Sequence, residues 1–212
     1  MTTLVHNKVR LALHQLRDGD GRPLLLLHGL GERSPDVLPS RVAGWSGPVH
    51  ALDFTGHGES TVPRGGGYSA ELLMADVAIA LDHLGPSTLV GRGLGAYVAV
   101  LVAGARPELV QGAVLEDGPG LFGGAMGPTS AVVQIAPDAT GPPDPYALVE
   151  LATDVRTGDY ALTYARHALE RSGLDQPFAL VARGRPAWLA TLVDSLLLSP
   201  TTTERALAGY VD

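Results

Sequence analysis

Short apolar runs alternate along this chain with longer stretches whose apolar residues recur at helical spacing. Residues 23–27 are continuously apolar and end in His28-Gly29, the pattern of a strand buried on both faces. Residues 9–16 predict an earlier strand, closed by the hairpin-type turn Asp18-Gly19-Asp20-Gly21, and residues 49–52 predict another. Over 69–84, Leu72, Leu73, Val77, Ala80, Leu81 and Leu84 fall on one helical face. Ser69 is placed to cap the start, and Gly85-Pro86 stops it. Residues 87–90 form a strand that enters a glycine-rich turn, which opens directly into a helix-like run over 94–105. A further strand, 111–115, ends at Glu116-Asp117-Gly118. Strand and helix alternating from 23 to 117 predict an α/β fold, a mostly parallel sheet with helices on both faces.

Beyond Gly118 the pattern changes. Residues 118–145 are rich in glycine and proline and read as loop, with one apolar patch at 131–135. Two helix-like segments follow, 146–155 and 159–172. Then come a strand at 178–181, a helix at 186–193, a strand at 196–198 and a last helix at 203–211. No internal repeat is present. The expected organisation is one domain: residues 1–118 and 177–212 as two parts of the core, and 119–176 as a reduced, cap-like insertion between them.

Composition narrows the classes. The 212 residues are 45% hydrophobic and 17% charged, enough to build a substantial core and too apolar for disorder. A formal net charge of -7 with no basic stripe argues against a nucleic-acid partner. The absence of cysteine excludes disulfides and thiolate metal sites, and no two histidines stand at i, i+4 spacing, so no metal or cofactor is expected. Residues 1–17 lack a signal-peptide pattern, and no apolar run is long enough to span a bilayer. The expectation is a soluble, cytoplasmic protein with no membrane partner; nothing in the sequence sets its oligomeric state.

The chemistry concentrates in three motifs: Leu27-His28-Gly29-Leu30-Gly31, Asp53-Phe54-Thr55-Gly56-His57-Gly58-Glu59-Ser60, and Gly91-Arg92-Gly93-Leu94-Gly95. In order and spacing they resemble the α/β-hydrolase family, the branch of small esterases and lactonases, over residues 23–118. The resemblance implies the α/β-hydrolase fold, with a nucleophile elbow G-x-S-x-G whose central serine attacks an acyl carbon. Here that position is Gly93, which has no side chain to attack with. The resemblance also implies oxyanion-type backbone donors at Leu30 and Leu94. It places the family's acid near Gly184-Arg185-Pro186 and its histidine near 199–203; neither stretch holds such a residue, and His167 is the last histidine. Removing a triad nucleophile costs roughly a million-fold in turnover, on the order of 8 kcal/mol of barrier. Ordinary serine hydrolysis is therefore not expected.

Each remaining candidate has two readings. Asp117, just past a strand end, is either an acid–base group or an aspartate bonding turn N–H groups. Arg92 either clamps a carboxylate or phosphate beside the vacated position or pairs with a surface acid. By resemblance His57 supports the turn below the site, and His28, next to Gly29, braces the oxyanion loop. Asp53 and Ser60 hold their own loop, and His167 belongs to a solvated helix face. Two functions follow. One is a degenerate hydrolase fold that binds a small ester-, lactone- or acyl-type ligand or a protein partner. The other is a hydrolase or lyase with reassigned acid–base groups such as Asp117.

Overall fold

The computed structural model describes residues 1–6, 8–121, 141–152 and 156–211. The apolar patch read at 131–135 and the end of the helix read at 146–155 lie outside them.

Seven strands form one sheet: β1 (Thr2–His6), β2 (Val9–Arg17), β3 (Leu24–Leu27), β4 (Val49–Leu52), β5 (Ser87–Arg92), β6 (Val110–Glu116) and β7 (Phe178–Leu180). Their order is β1-β2-β4-β3-β5-β6-β7. β1 and β2 pair antiparallel with each other, and β2 pairs antiparallel with β4; the remaining pairings are parallel. The four leucines of β3 are all buried because β3 is central, flanked by β4 and β5 and covered on both faces.

The helices are α1 (Ala70–Leu84), α2 (Leu94–Ala105), α3 (Pro145–Glu150), α4 (Gly158–Arg171), α5 (Ala187–Leu196) and α6 (Thr203–Ala208). α1 starts where the Ser69 hydroxyl accepts the Leu72 N–H, and ends at Gly85, whose φ of 80° suits glycine. α2 carries apolar or glycine residues all round, and every residue from Leu94 to Gly104 is buried. Such a helix is stable only when surrounded: the sheet lies on one side, and α1 and α4 pack on the other. α4, inside the stretch read as an insertion, also packs on α5. The opposite face is covered more thinly. There Leu26, Val90 and Val114 pack with Val42 and Trp45 of the 3-10 turn region and with Ala206 and Leu207 of α6.

Two local expectations are corrected. The strand read at 196–198 does not form: α5 continues to Leu196, Leu197 turns with φ 53°, and only Pro200 makes an isolated parallel bridge to Leu180. The leucine run satisfies a helix end as readily as a strand. β1 was not anticipated; Leu4 is buried and Val5 is exposed, an alternation too short to stand out before its pairing with β2 is known.

Candidate functional site

β5 ends at Arg92, and the chain reverses at Gly93 (φ 50°, ψ -109°) before α2 begins at Leu94. The Gly93 N–H donates to the Glu116 carbonyl, and its own carbonyl receives the N–H groups of Ala96 and Tyr97, all at 3.1 Å. A sharp strand-to-helix elbow therefore stands at the carboxyl end of a central strand, in a conformation that L side chains rarely adopt.

The Leu30 and Leu94 N–H groups converge on an atom of the protein. Both donate to the Pro119 carbonyl oxygen, at 2.8 and 3.0 Å. The segment Gly118-Pro119-Gly120 lies directly over the elbow. A Cβ at Gly93 would fall 2.2 Å from the Pro119 oxygen, and one at Gly29 would fall 2.8 Å from the Pro119 ring. Trp188 of α5 fastens the next residue by donating Nε1–H to the Leu121 carbonyl at 3.0 Å, with its ring edge-on to Tyr97. The space left at Gly93, between Asp117, Gly120, Leu121 and Trp188, is about 50 Å³. That is room for one or two water molecules at roughly 30 Å³ each.

Asp117 lines this space but is exposed, and its carboxylate is engaged. Oδ2 accepts the Arg183 N–H at 2.8 Å and Oδ1 the Gly184 N–H at 2.9 Å, which joins β6 to the loop after β7. In that loop Arg185 donates to the carbonyls of Ala182 and Gly184. His167, on α4, bonds the Gly104 carbonyl of α2 through Nδ1 at 2.6 Å.

His28 and His57 are buried beneath the elbow, 5.1 Å apart. Phe54 donates its N–H to His28 Nε2 (3.1 Å), so His28 carries its proton on Nδ1, directed to the Gly29 carbonyl at 2.8 Å. Gly31 donates to His57 Nε2 (3.2 Å), and His57 Nδ1 faces the Thr55 carbonyl at 3.2 Å. Burial, with the nearby His57 second, pushes His28 down to about 4; burial likewise lowers His57. Both rings are neutral at pH 7, with both nitrogens committed to loop backbone. Asp53 holds the same loops: its carboxylate accepts the Ser34 and Glu59 N–H groups and meets His14 Nε2. Its carbonyl receives the Ser60 hydroxyl at 2.6 Å.

Arg92 lies flat against Glu32, Nη2 to Oε1 at 2.9 Å and Nε to Oε2 at 3.1 Å, while Glu32 also accepts the Gly29 N–H. Sequence reasoning named Arg92 but not Glu32, 60 residues away. It also passed over Pro119. The glycines on either side of Pro119 were a usable signal, because paired glycines mark backbone that something else approaches closely. Asp76 was a third omission. This buried carboxylate on α1 takes the Thr55 N–H and hydroxyl, and burial lifts it to about 7 against those two bonds.

Among the described residues no group of three or more His, Asp or Glu side chains is placed to hold a metal ion, and no helix is long and apolar enough to cross a membrane.

Residues 24–212 match the alpha/beta hydrolase family. The (E)-2-((N-methylformamido)methylene)succinate hydrolase of Acinetobacter baylyi is 33% identical over 103 residues, covering 46% of this chain and 38% of that protein. An esterase of Mycobacterium tuberculosis is 34% identical over 109 residues, covering 50% of this chain and 36% of the esterase. Among solved structures, the thioesterase domain from the curacin biosynthetic pathway superposes with a TM-score of 0.50 at 26% identity, over 56% of this chain and 46% of that one. The match thus spans less than half the length of each of these relatives, 38%, 36% and 46%.

Proposed function

Because this chain belongs to the α/β-hydrolase family, we propose that it is a catalytically degenerate member that uses the elbow region to bind, not to turn over, a carbonyl-bearing small molecule of ester, lactone or acyl type. The observation that carries this reading is the Pro119 carbonyl, which takes both the Leu30 and Leu94 N–H groups over an elbow whose central residue is Gly93. A substrate oxygen needs those same donors to develop negative charge, and the elbow offers no atom to attack it. Binding is then an exchange, with a ligand carbonyl replacing that of Pro119. The names of the relatives, a hydrolase and an esterase, support an acyl-type ligand.

The competing reading gives the chemistry to Asp117. Its two oxygens already accept main-chain N–H groups, which favours a fastening role. Turnover of p-nitrophenyl esters, γ-butyrolactone and an acyl thioester by the wild-type protein, Gly93→Ser and Asp117→Ala separates the readings. All three are expected at background. Saturable turnover by the wild type that Asp117→Ala abolishes would replace degeneracy with a reassigned enzyme. Robust ester hydrolysis by Gly93→Ser would mean that a working base stands near the elbow.

A further inference from the structure

The strand order reverses at β3: the chain first adds β4 on one side and later β5 on the other. In open α/β sheets such a reversal leaves a crevice outside the carboxyl ends of the two diverging strands. Here the crevice exists, with a volume of about 280 Å³. It shares no lining residue with the small space at Gly93. Its apolar walls include Leu26, Val90 and Pro39, and six polar or charged residues line it: His28, Glu32, Arg33, Ser34, Arg41 and Arg92.

Both arginines are held by ion pairs that leave donors over. Arg41 uses only Nε, which reaches the two oxygens of buried Glu116 at 2.8 and 3.0 Å, and the Thr203 hydroxyl fixes the same carboxylate at 2.6 Å. Neither Nη of Arg41 has a protein partner among the described residues. Arg92 spends Nε and Nη2 on Glu32, which leaves Nη1. Ser34 is 5% exposed, and its hydroxyl makes no hydrogen bond of ordinary geometry, although it lies near enough to Asp53 to help keep that carboxylate charged. Three guanidinium nitrogens without a protein acceptor among the described residues and one buried hydroxyl thus belong to residues that line the crevice together with its apolar wall and the Glu32 carboxylate. The ordering of both arginine side chains is already accomplished by Glu116 and Glu32.

We propose that this crevice binds a small organic monocarboxylate, its carboxylate on the Arg41 Nη edge and Arg92 Nη1, its apolar body against Leu26 and Val90. Each arginine already has an acidic partner, Arg41 with Glu116, Arg92 with Glu32 and Arg33 with Asp36, and the Glu32 carboxylate itself belongs to the lining, so every added negative charge meets repulsion and a monoanion is favoured over a dianion. The apolar walls set the body: roughly nine waters' worth of volume at about 30 Å³ each suits a short-chain or small cyclic acid, not a bare inorganic ion. This site does not depend on the reading given to the elbow.

The test is methyl NMR of the full chain, following Leu26 and Val90 while acetate, butyrate, hexanoate, benzoate and, separately, inorganic phosphate are added at constant ionic strength. Saturable shifts at both residues, tightening from acetate to hexanoate, are expected. Arg41→Lys keeps a charge for Glu116 but loses the Nη edge, and should weaken binding about tenfold or more with the melting temperature held. Arg92→Lys supplies an independent second loss should the first variant misfold. The proposal is overturned by the absence of saturable shifts with every acid, by undiminished affinity in both variants, or by preference for phosphate. Saturation confined to Leu121 and Leu189, at the elbow, overturns it equally.

Discussion

Gly93→Ala measures how firmly the 118–120 segment sits on the elbow. The backbone at Gly93 lies at φ 50°, ψ -109°, and forcing a side chain into such a region costs about 1–3 kcal/mol. The new Cβ would also stand 2.2 Å from the Pro119 oxygen and 2.5 Å from the Gly118 carbonyl carbon, so the segment must withdraw. Withdrawal removes the two hydrogen bonds that Pro119 accepts from Leu30 and Leu94, about 1 kcal/mol each. Together the loss is about 3–5 kcal/mol, a fall in melting temperature on the order of 10 °C for a chain of this size. Gly21→Ala is the control. Gly21 also has a positive φ, 106°, but a Cβ there meets nothing within 4 Å, so it reports backbone strain alone. Urea unfolding of the two variants and the wild type gives the difference directly. If Gly93→Ala proves within about 0.5 kcal/mol of Gly21→Ala, Pro119 is not packed over the elbow, and its carbonyl does not occupy the Leu30 and Leu94 donors.

Two further outcomes follow from the same geometry. Asp117→Ala should lower stability by about 1–2 kcal/mol in urea unfolding, through the bonds it makes to Arg183 and Gly184; an unchanged midpoint would mean that water replaces the carboxylate there. Asp76 should make stability fall as pH rises. Its folded-state value, lifted by burial to about 7, lies above its ordinary value of 3.8, so the native state holds the extra proton between them. The contribution is complete below about pH 4 and is lost through pH 7, by up to a few kcal/mol. His28 and His57, held neutral by burial, act in the opposite sense as pH falls below about 6.5. The readout is therefore the difference between wild type and Asp76→Asn at each pH. A difference that does not change between pH 4 and 8 would refute the assignment to Asp76.

The helices α1 and α2 were legible from sequence because their ends are written in local chemistry: Ser69 and Gly85 bracket one, and Gly93 opens the other. The four leucines of β3 were legible because a central strand in a covered sheet needs nothing else. The leucines at 196–198 failed as a strand because an apolar run carries no period, and length alone decides its type. The site was legible only where a side chain carries it. Pro119 acts through its carbonyl oxygen, which every residue has, and the pairs Arg92–Glu32 and Arg41–Glu116 bridge 60 and 75 positions that only the topology brings together.

Active sites are ordinarily weak points in a fold, since donors aimed at an absent substrate sit poorly satisfied and a cleft forgoes packing. At this elbow the chain supplies its own acceptor. The Leu30 and Leu94 N–H groups have a partner whether or not a ligand arrives, and the cleft is filled by the protein's own backbone. On the reading proposed above, the shape of the turn is kept apart from its chemistry: substitutions at Gly93 that would cripple a hydrolase register here as changes in stability and in ligand binding, not in turnover.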